Sequence, residues 1–82
     1  MTVEKWNHKS KEYEPYTLND EWYTPLYCED METIVNCAHC GKEIEFGKCF
    51  TSREIHNVFG LGYPVCSDCY EEEWRREKGN DQ

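Results

Sequence analysis

The sequence predicts a small α+β domain that needs a staple beyond its own core. Three observations predict it: the chain has 82 residues, four of its six cysteines form two Cys-x-x-Cys pairs, and the second pair opens a segment with helical charge spacing. A folded chain of this length hides only about 60 to 65 per cent of its unfolded surface, which leaves a marginal hydrophobic core.

Charge and composition narrow the function classes. Seventeen acidic residues stand against nine basic ones, a net charge of −8. That balance argues against a protein that tracks phosphates and favours a partner with a positive surface. Mean hydropathy is −0.97, and no apolar run approaches the roughly 20 residues that cross a bilayer. Met1 to Ser10 lacks the apolar stretch of a secretory signal, so a cytoplasmic address with reduced thiols is expected. Aromatics reach 15%, too many for a disordered chain, whereas the length leaves little room for a deep substrate cleft. A binding module, and not an enzyme, is the expectation.

Taken in order, residues 1–35 read as an N-terminal arm, 36–78 as a cysteine-bounded module and 79–82 as a frayed tail. The arm holds Trp6, Tyr13, Tyr16, Trp22, Tyr23 and Tyr27, half of the chain's aromatics, and has eight acids against three bases. Its apolar positions follow neither a 3.6 nor a 2.0 period, so extended or irregular backbone is predicted, with at most a helical turn between Thr17 and Pro25. In the module, Gly41 suits the left-handed turn that closes a cysteine knuckle. Ile44 with Phe46, and Phe50 with its β-branched neighbours, predict two short strands joined by a tight turn at Gly47-Lys48. Asn57 to Pro64 reads as a loop. From Ser67 to about Lys78 a helix is predicted: Asp68 and Glu71 have capping-box spacing, Glu71–Arg75 and Glu72–Arg76 are favourable pairs, and Gly79 ends it. Tyr70 and Trp74 share a face that should lie on the hairpin.

Cys37-x-x-Cys40 and Cys66-x-x-Cys69, with 25 residues between them, point to one structural zinc ion. Each such turn curls around a metal and presents two sulfurs, and two turns complete a closed tetrahedron. The second pair starts the predicted helix, where free N–H groups favour thiolate charge. Disulfides would require an oxidising compartment, and a redox Cys-x-x-Cys normally occurs once, after a strand of a βαβ unit. Cys28 and Cys49 are expected outside the site, Cys49 as a small buried hydrophobe in a strand and Cys28 as a spare thiol or a dock for the arm. Ligation by His56 would be more elaborate than four cysteines require. His39 is expected to be exposed, with no function, and Glu71 to Glu73 to form a solvated face. No catalytic set emerges. Pro64 lies one residue off the zinc-deaminase spacing, His56 is followed by Asn57 rather than Glu, and a His-Me nuclease reading lacks a second catalytic histidine near His56.

The order knuckle, hairpin, loop, helix is that of a treble-clef finger. Cys37, Cys40, Gly41, Ile44, Pro64, Cys66, Cys69 and Glu71-Glu72 resemble the finger of DksA/TraR-type RNA polymerase regulators over about half of the chain. The resemblance implies a treble-clef fold with zinc on Cys37, Cys40, Cys66 and Cys69. The spacer is longer here and the coiled coil of that family is absent, so polymerase binding does not transfer.

Function is therefore expected from a protein-binding adaptor or inhibitor, with Trp6, Tyr13, Tyr16, Trp22 and Tyr23 of the arm as anchors and the acids as steering charges. A small acidic protein of this kind suits a phage-encoded product acting on a host factor. The other classes are a nucleic-acid-binding finger or transcription regulator, using Lys42, Lys48, Arg53, Arg75, Arg76 and Lys78, and an acidic mimic of the DNA backbone.

Overall fold

The computed structural model describes residues 1–79. Its elements are β1 (Thr2–Asn7), β2 (Glu12–Thr17), β3 (Ile34–Asn36), β4 (Glu43–Glu45), a 3₁₀ turn (Phe46–Lys48), β5 (Phe50–His56), β6 (Gly62–Val65) and α1 (Ser67–Gly79). Two antiparallel sheets form, one of four strands in the order β2-β1-β5-β6 and one of two, β3-β4. Among the described residues no helix is long and apolar enough to cross a membrane.

Residues 2–17 form a hairpin. Lys11, at φ 62°, turns the chain, and the Asn7 side chain accepts N–H bonds from Lys9 at 2.8 Å and Ser10 at 3.1 Å. Val3 faces Tyr16 and Trp6 faces Tyr13 across the two strands. β1 then pairs with β5 at Glu4–His56 and Lys5–Ile55, so the larger sheet spans the boundary between arm and cysteine module. Residues 18–33 are irregular, with turns closed by the Trp22 N–H on Asn19 O at 3.0 Å and the Thr33 N–H on Asp30 O at 3.1 Å.

The predicted strands around Ile44 and Phe50 exist, but they do not pair with each other. Phe46 N–H bonds Thr33 O and Gly47 N–H bonds Met31 O, both at 2.8 Å, so arm carbonyls capture the donors that a hairpin turn would need. β4 folds back on β3, with Ile44 facing Val35, while β5 joins β6 and β1. The predicted loop is also shorter than Asn57 to Pro64, because β6 begins at Gly62.

β5 is irregular between Thr51 and His56. The Ser52 hydroxyl accepts the N–H groups of Glu54 at 3.1 Å and Ile55 at 2.8 Å, and this kink turns two consecutive side chains inward. Ile55 joins Val3, Leu18, Tyr63 and Val65 in the apolar core together with Cys37 and Cys66, and Glu54 is buried beside it.

The helix starts at Ser67, with Tyr70 N–H on Cys66 O at 2.9 Å. Asp68 therefore stands inside the first turn and not at the cap position that a capping box requires. Glu71–Arg75 and Glu72–Arg76 close at 3.6 and 3.8 Å. Tyr70 stacks on Phe50 with ring centroids 4.8 Å apart, and Trp74 lies under the cations of Arg53 and Lys78. The helix includes Gly79, and residues 80–82 of the expected tail lie outside the described residues.

Candidate metal centre

Cys37 ends the β3 side of the first turn, and Cys40 follows it in a tight knuckle. Gly41 N–H bonds Cys37 O, Cys37 N–H bonds Lys42 O and Ala38 N–H bonds Pro64 O, each at 2.8 Å. The last of these ties the knuckle to β6, whose next residues are Val65 and Cys66. Gly41 adopts φ +81°, and a Cβ there would meet the Trp22 ring at 2.5 Å. Gly41→Ala therefore combines left-handed strain with a clash, and is expected to cost about 2 kcal/mol or more of the zinc-loaded protein's stability. A thermal melt checks this, and a loss within about 0.5 kcal/mol would count against the packing described.

The thiol sulfurs of Cys37, Cys40, Cys66 and Cys69 all lie within 4.8 Å of one another, and Cys40 Sγ to Cys66 Sγ measures 3.9 Å. A tetrahedral ion with metal–sulfur bonds of about 2.3 Å needs sulfurs about 3.8 Å apart. Donor type and spacing thus fit a zinc site with no open position. The proton affinities agree with that fit. Burial pushes the Cys37 thiol up, but N–H groups at Cys66, Cys40 and His39 outweigh it and bring it down to about 7. Cys69 is raised by burial and by its neighbouring thiols, and Cys40 is raised chiefly by burial. One thiolate forms readily; further ones repel it unless a cation sits among them.

Cys28 and Cys49 stand outside this cluster. Cys28 is buried, whereas Cys49 precedes β5 and is half-buried, donating its thiol proton to Phe46 O at 3.0 Å. Cys28→Ser and Cys49→Ala are expected to keep the full metal content, as metal analysis of the purified variants would show; loss of metal from either would reassign the ligands.

The structure brings together a second set of residues that the sequence reading passed over. His39 is not exposed: its side chain is half-buried, and Nε2 bonds Glu73 Oε2 at 2.6 Å and lies 3.9 Å from Glu54 Oε1. Glu73 is not on the solvated face of the helix, since it is 0% exposed, and Glu54 is 1% exposed. Glu73 also accepts bonds from the Ser52 hydroxyl and the Arg53 N–H, both at 2.6 Å. Burial raises its pKa, but the bonds from His39, Ser52 and Arg53 prevail and hold it below the usual carboxylate range. Arg76 grips both oxygens of Glu54 at 2.9 Å, and His8 Nε2 reaches Glu54 Oε2 at 3.0 Å.

Three of these residues, His39, Glu54 and Glu73, are close enough to be considered as metal ligands. Their geometry favours hydrogen bonding instead. Two ligands of one ion stand about 3 Å or more apart, and the 2.6 Å separation of His39 and Glu73 is that of a charge-assisted bond. The remaining carboxylate lone pairs are occupied by Arg76, Ser52 and Arg53. The set is a buried polar junction that ties the knuckle, β5, the β1–β2 turn and the helix together.

The aromatic residues expected as anchors take different positions. Trp6 and Tyr13 meet edge to face at 5.0 Å, and Tyr13 OH reaches His56 Nδ1 at 3.0 Å. Tyr16 packs on the core with its hydroxyl toward Ala38 O. Trp22 covers Gly41, and Tyr23 is exposed, its carbonyl accepting the Asn36 N–H at 2.7 Å and its N–H donating to Asn36 Oδ1 at 2.8 Å. Compared with known proteins, the chain matches no family model, no curated protein and no solved structure.

Proposed function

We infer that this chain is a zinc-held protein-binding module, an adaptor or inhibitor whose metal is structural and whose partner presents a basic surface. The observation that carries this reading is the closed four-sulfur cluster, which would leave a bound ion no position for a substrate or an activated water. The order of elements supports a treble-clef arrangement: a knuckle between β3 and β4, the β5–β6 hairpin, and a helix that begins at the second cysteine pair. The charge of −8 supports electrostatic steering toward a cationic partner.

The test is affinity capture by the zinc-loaded chain, from cells that produce it, at two salt concentrations, alongside gel shifts with random DNA and RNA. A protein partner retained at low salt and released at high salt, with no nucleic-acid shift, is expected. A shift of either nucleic acid at physiological salt, with no protein captured, would contradict the reading.

A further inference from the structure

The least expected surface lies at the tip of the β5–β6 hairpin. Val58, Phe59 and Leu61 are 75%, 84% and 56% exposed, although each would gain by burial. They are not on a slack loop. Asn57 Oδ1 accepts the N–H of Phe59 at 2.8 Å and of Leu61 at 2.9 Å, Asn57 N–H bonds Leu61 O at 2.8 Å, and Gly60 N–H bonds Asn57 O at 3.0 Å. Gly60 takes φ +85°, a conformation open to glycine, with nothing within 4 Å of where a Cβ would stand. Four backbone N–H groups, of Asn57, Phe59, Gly60 and Leu61, are satisfied inside the loop, so the three side chains are left projecting from a hydrogen-bonded turn.

The surroundings indicate what such a tip meets. Residues 57–65 contain no charged side chain. Beside them, Val58 shares an open recess of about 350 Å³ with Glu4, Tyr13 and Pro15, so Glu4 gives the apolar projection an acidic neighbour. An apolar anchor with an acidic border complements an apolar pocket with a basic rim. Three side chains are a small area for a stable contact between two copies of an acidic chain, and the net charge of −8 opposes both self-association and an anionic bilayer.

We propose that Val58, Phe59 and Leu61 form the anchor by which this chain docks into an apolar pocket with a Lys/Arg-lined rim on another protein. This rests on the reading of the chain as a protein-binding module, and it moves the recognition element from the aromatic arm to the hairpin tip. Anchoring by a preorganised loop costs little ordering entropy, which is the advantage that four internal hydrogen bonds give the tip.

The probe is a synthetic amphipathic Leu/Lys helix, with its Leu/Glu counterpart as control, titrated into the zinc-loaded full chain and followed by fluorescence anisotropy and amide chemical shifts. The expected result is preferential binding of the Leu/Lys peptide, shifts concentrated at Val58 to Leu61, and a loss of roughly tenfold or more in affinity for Phe59→Ser. That substitution leaves the net charge unchanged and lies at an exposed site. Binding that Phe59→Ser does not weaken, or shifts centred on Trp74 or Trp6, would overturn the proposal. So would tip-dependent binding to neutral phosphatidylcholine vesicles, or tip-dependent dimerisation in sedimentation, which would give the tip to lipid or to a second copy. A cellular partner still captured at full strength by Phe59→Ser would end the proposal while leaving the binding-module reading intact.

Discussion

Cys66→Ser is expected to lose zinc and to unfold, with far-UV circular dichroism and dispersed amide resonances collapsing together. The site is assembled from a knuckle and a helix start, and Cys66 belongs also to the apolar core. Small zinc peptides gain about 10 to 16 kcal/mol of apparent binding free energy at neutral pH, so losing even a quarter of that removes about 3 kcal/mol. A chain of this length has a total stability of about 4 to 12 kcal/mol to lose it from. A serine variant that stayed folded and metal-loaded would show that one of the other three sulfurs, or an outside group, suffices. Chelation of the wild-type protein should produce the same collapse, and readdition of zinc should reverse it.

Glu73→Ala is expected to cost about 3 kcal/mol in the zinc-loaded protein, because it strands several buried donors at once. The Ser52 hydroxyl, the Arg53 N–H and the His39 ring all lose their acceptor. For a domain of this size that cost corresponds to a fall in Tm of more than about 10 °C. Glu71→Ala, at an exposed position of the same helix, should change stability by no more than about 0.5 kcal/mol. Equal melting shifts for the two variants would mean that the buried junction contributes nothing specific.

The parts of this molecule that were legible in the sequence are those fixed by local spacing. Two Cys-x-x-Cys turns, the left-handed Gly41 and the Glu71–Arg75 and Glu72–Arg76 pairs need only a few neighbouring residues to be recognised. The arm hid its strands because β2 is exposed at almost every position, which leaves no alternation to read. Its pairing with β5 joins residues about fifty apart and has no local signature. Glu54 and Glu73 were illegible for a related reason. A glutamate in a charged run reads as solvated, and what buries these two is a kink at Ser52 and partners at His39, His8 and Arg76 from distant parts of the chain. A signal was present nonetheless: His39 occupies the knuckle itself, where the fold brings both neighbouring cysteines against the helix start.

The same junction explains how a small core can still be specific. The four sulfurs stand where a bound metal ion would fix the knuckle to the first helical turn, and His39 with Glu73 fixes it one turn further along. Arg76 and Glu54 then attach the following turn to β5. The helix is thus held by polar contacts through Glu73, its buried residue, as well as by the packing of Tyr70 on Phe50 and the core. The polar contacts demand defined geometry, so they favour one arrangement over the alternatives open to a few apolar side chains.

Native mass spectrometry of the intact chain during a chelator titration tests the central claim most directly, because it reads metal content and compactness of the same ions. One zinc per chain on compact, low-charge ions is predicted, with every metal-free ion shifted to the broad, high charge states of an unfolded chain. Compact metal-free ions would show that the fold stands without its staple, and two zincs on the compact form would show that the His39, Glu54 and Glu73 junction, or another set, binds metal after all.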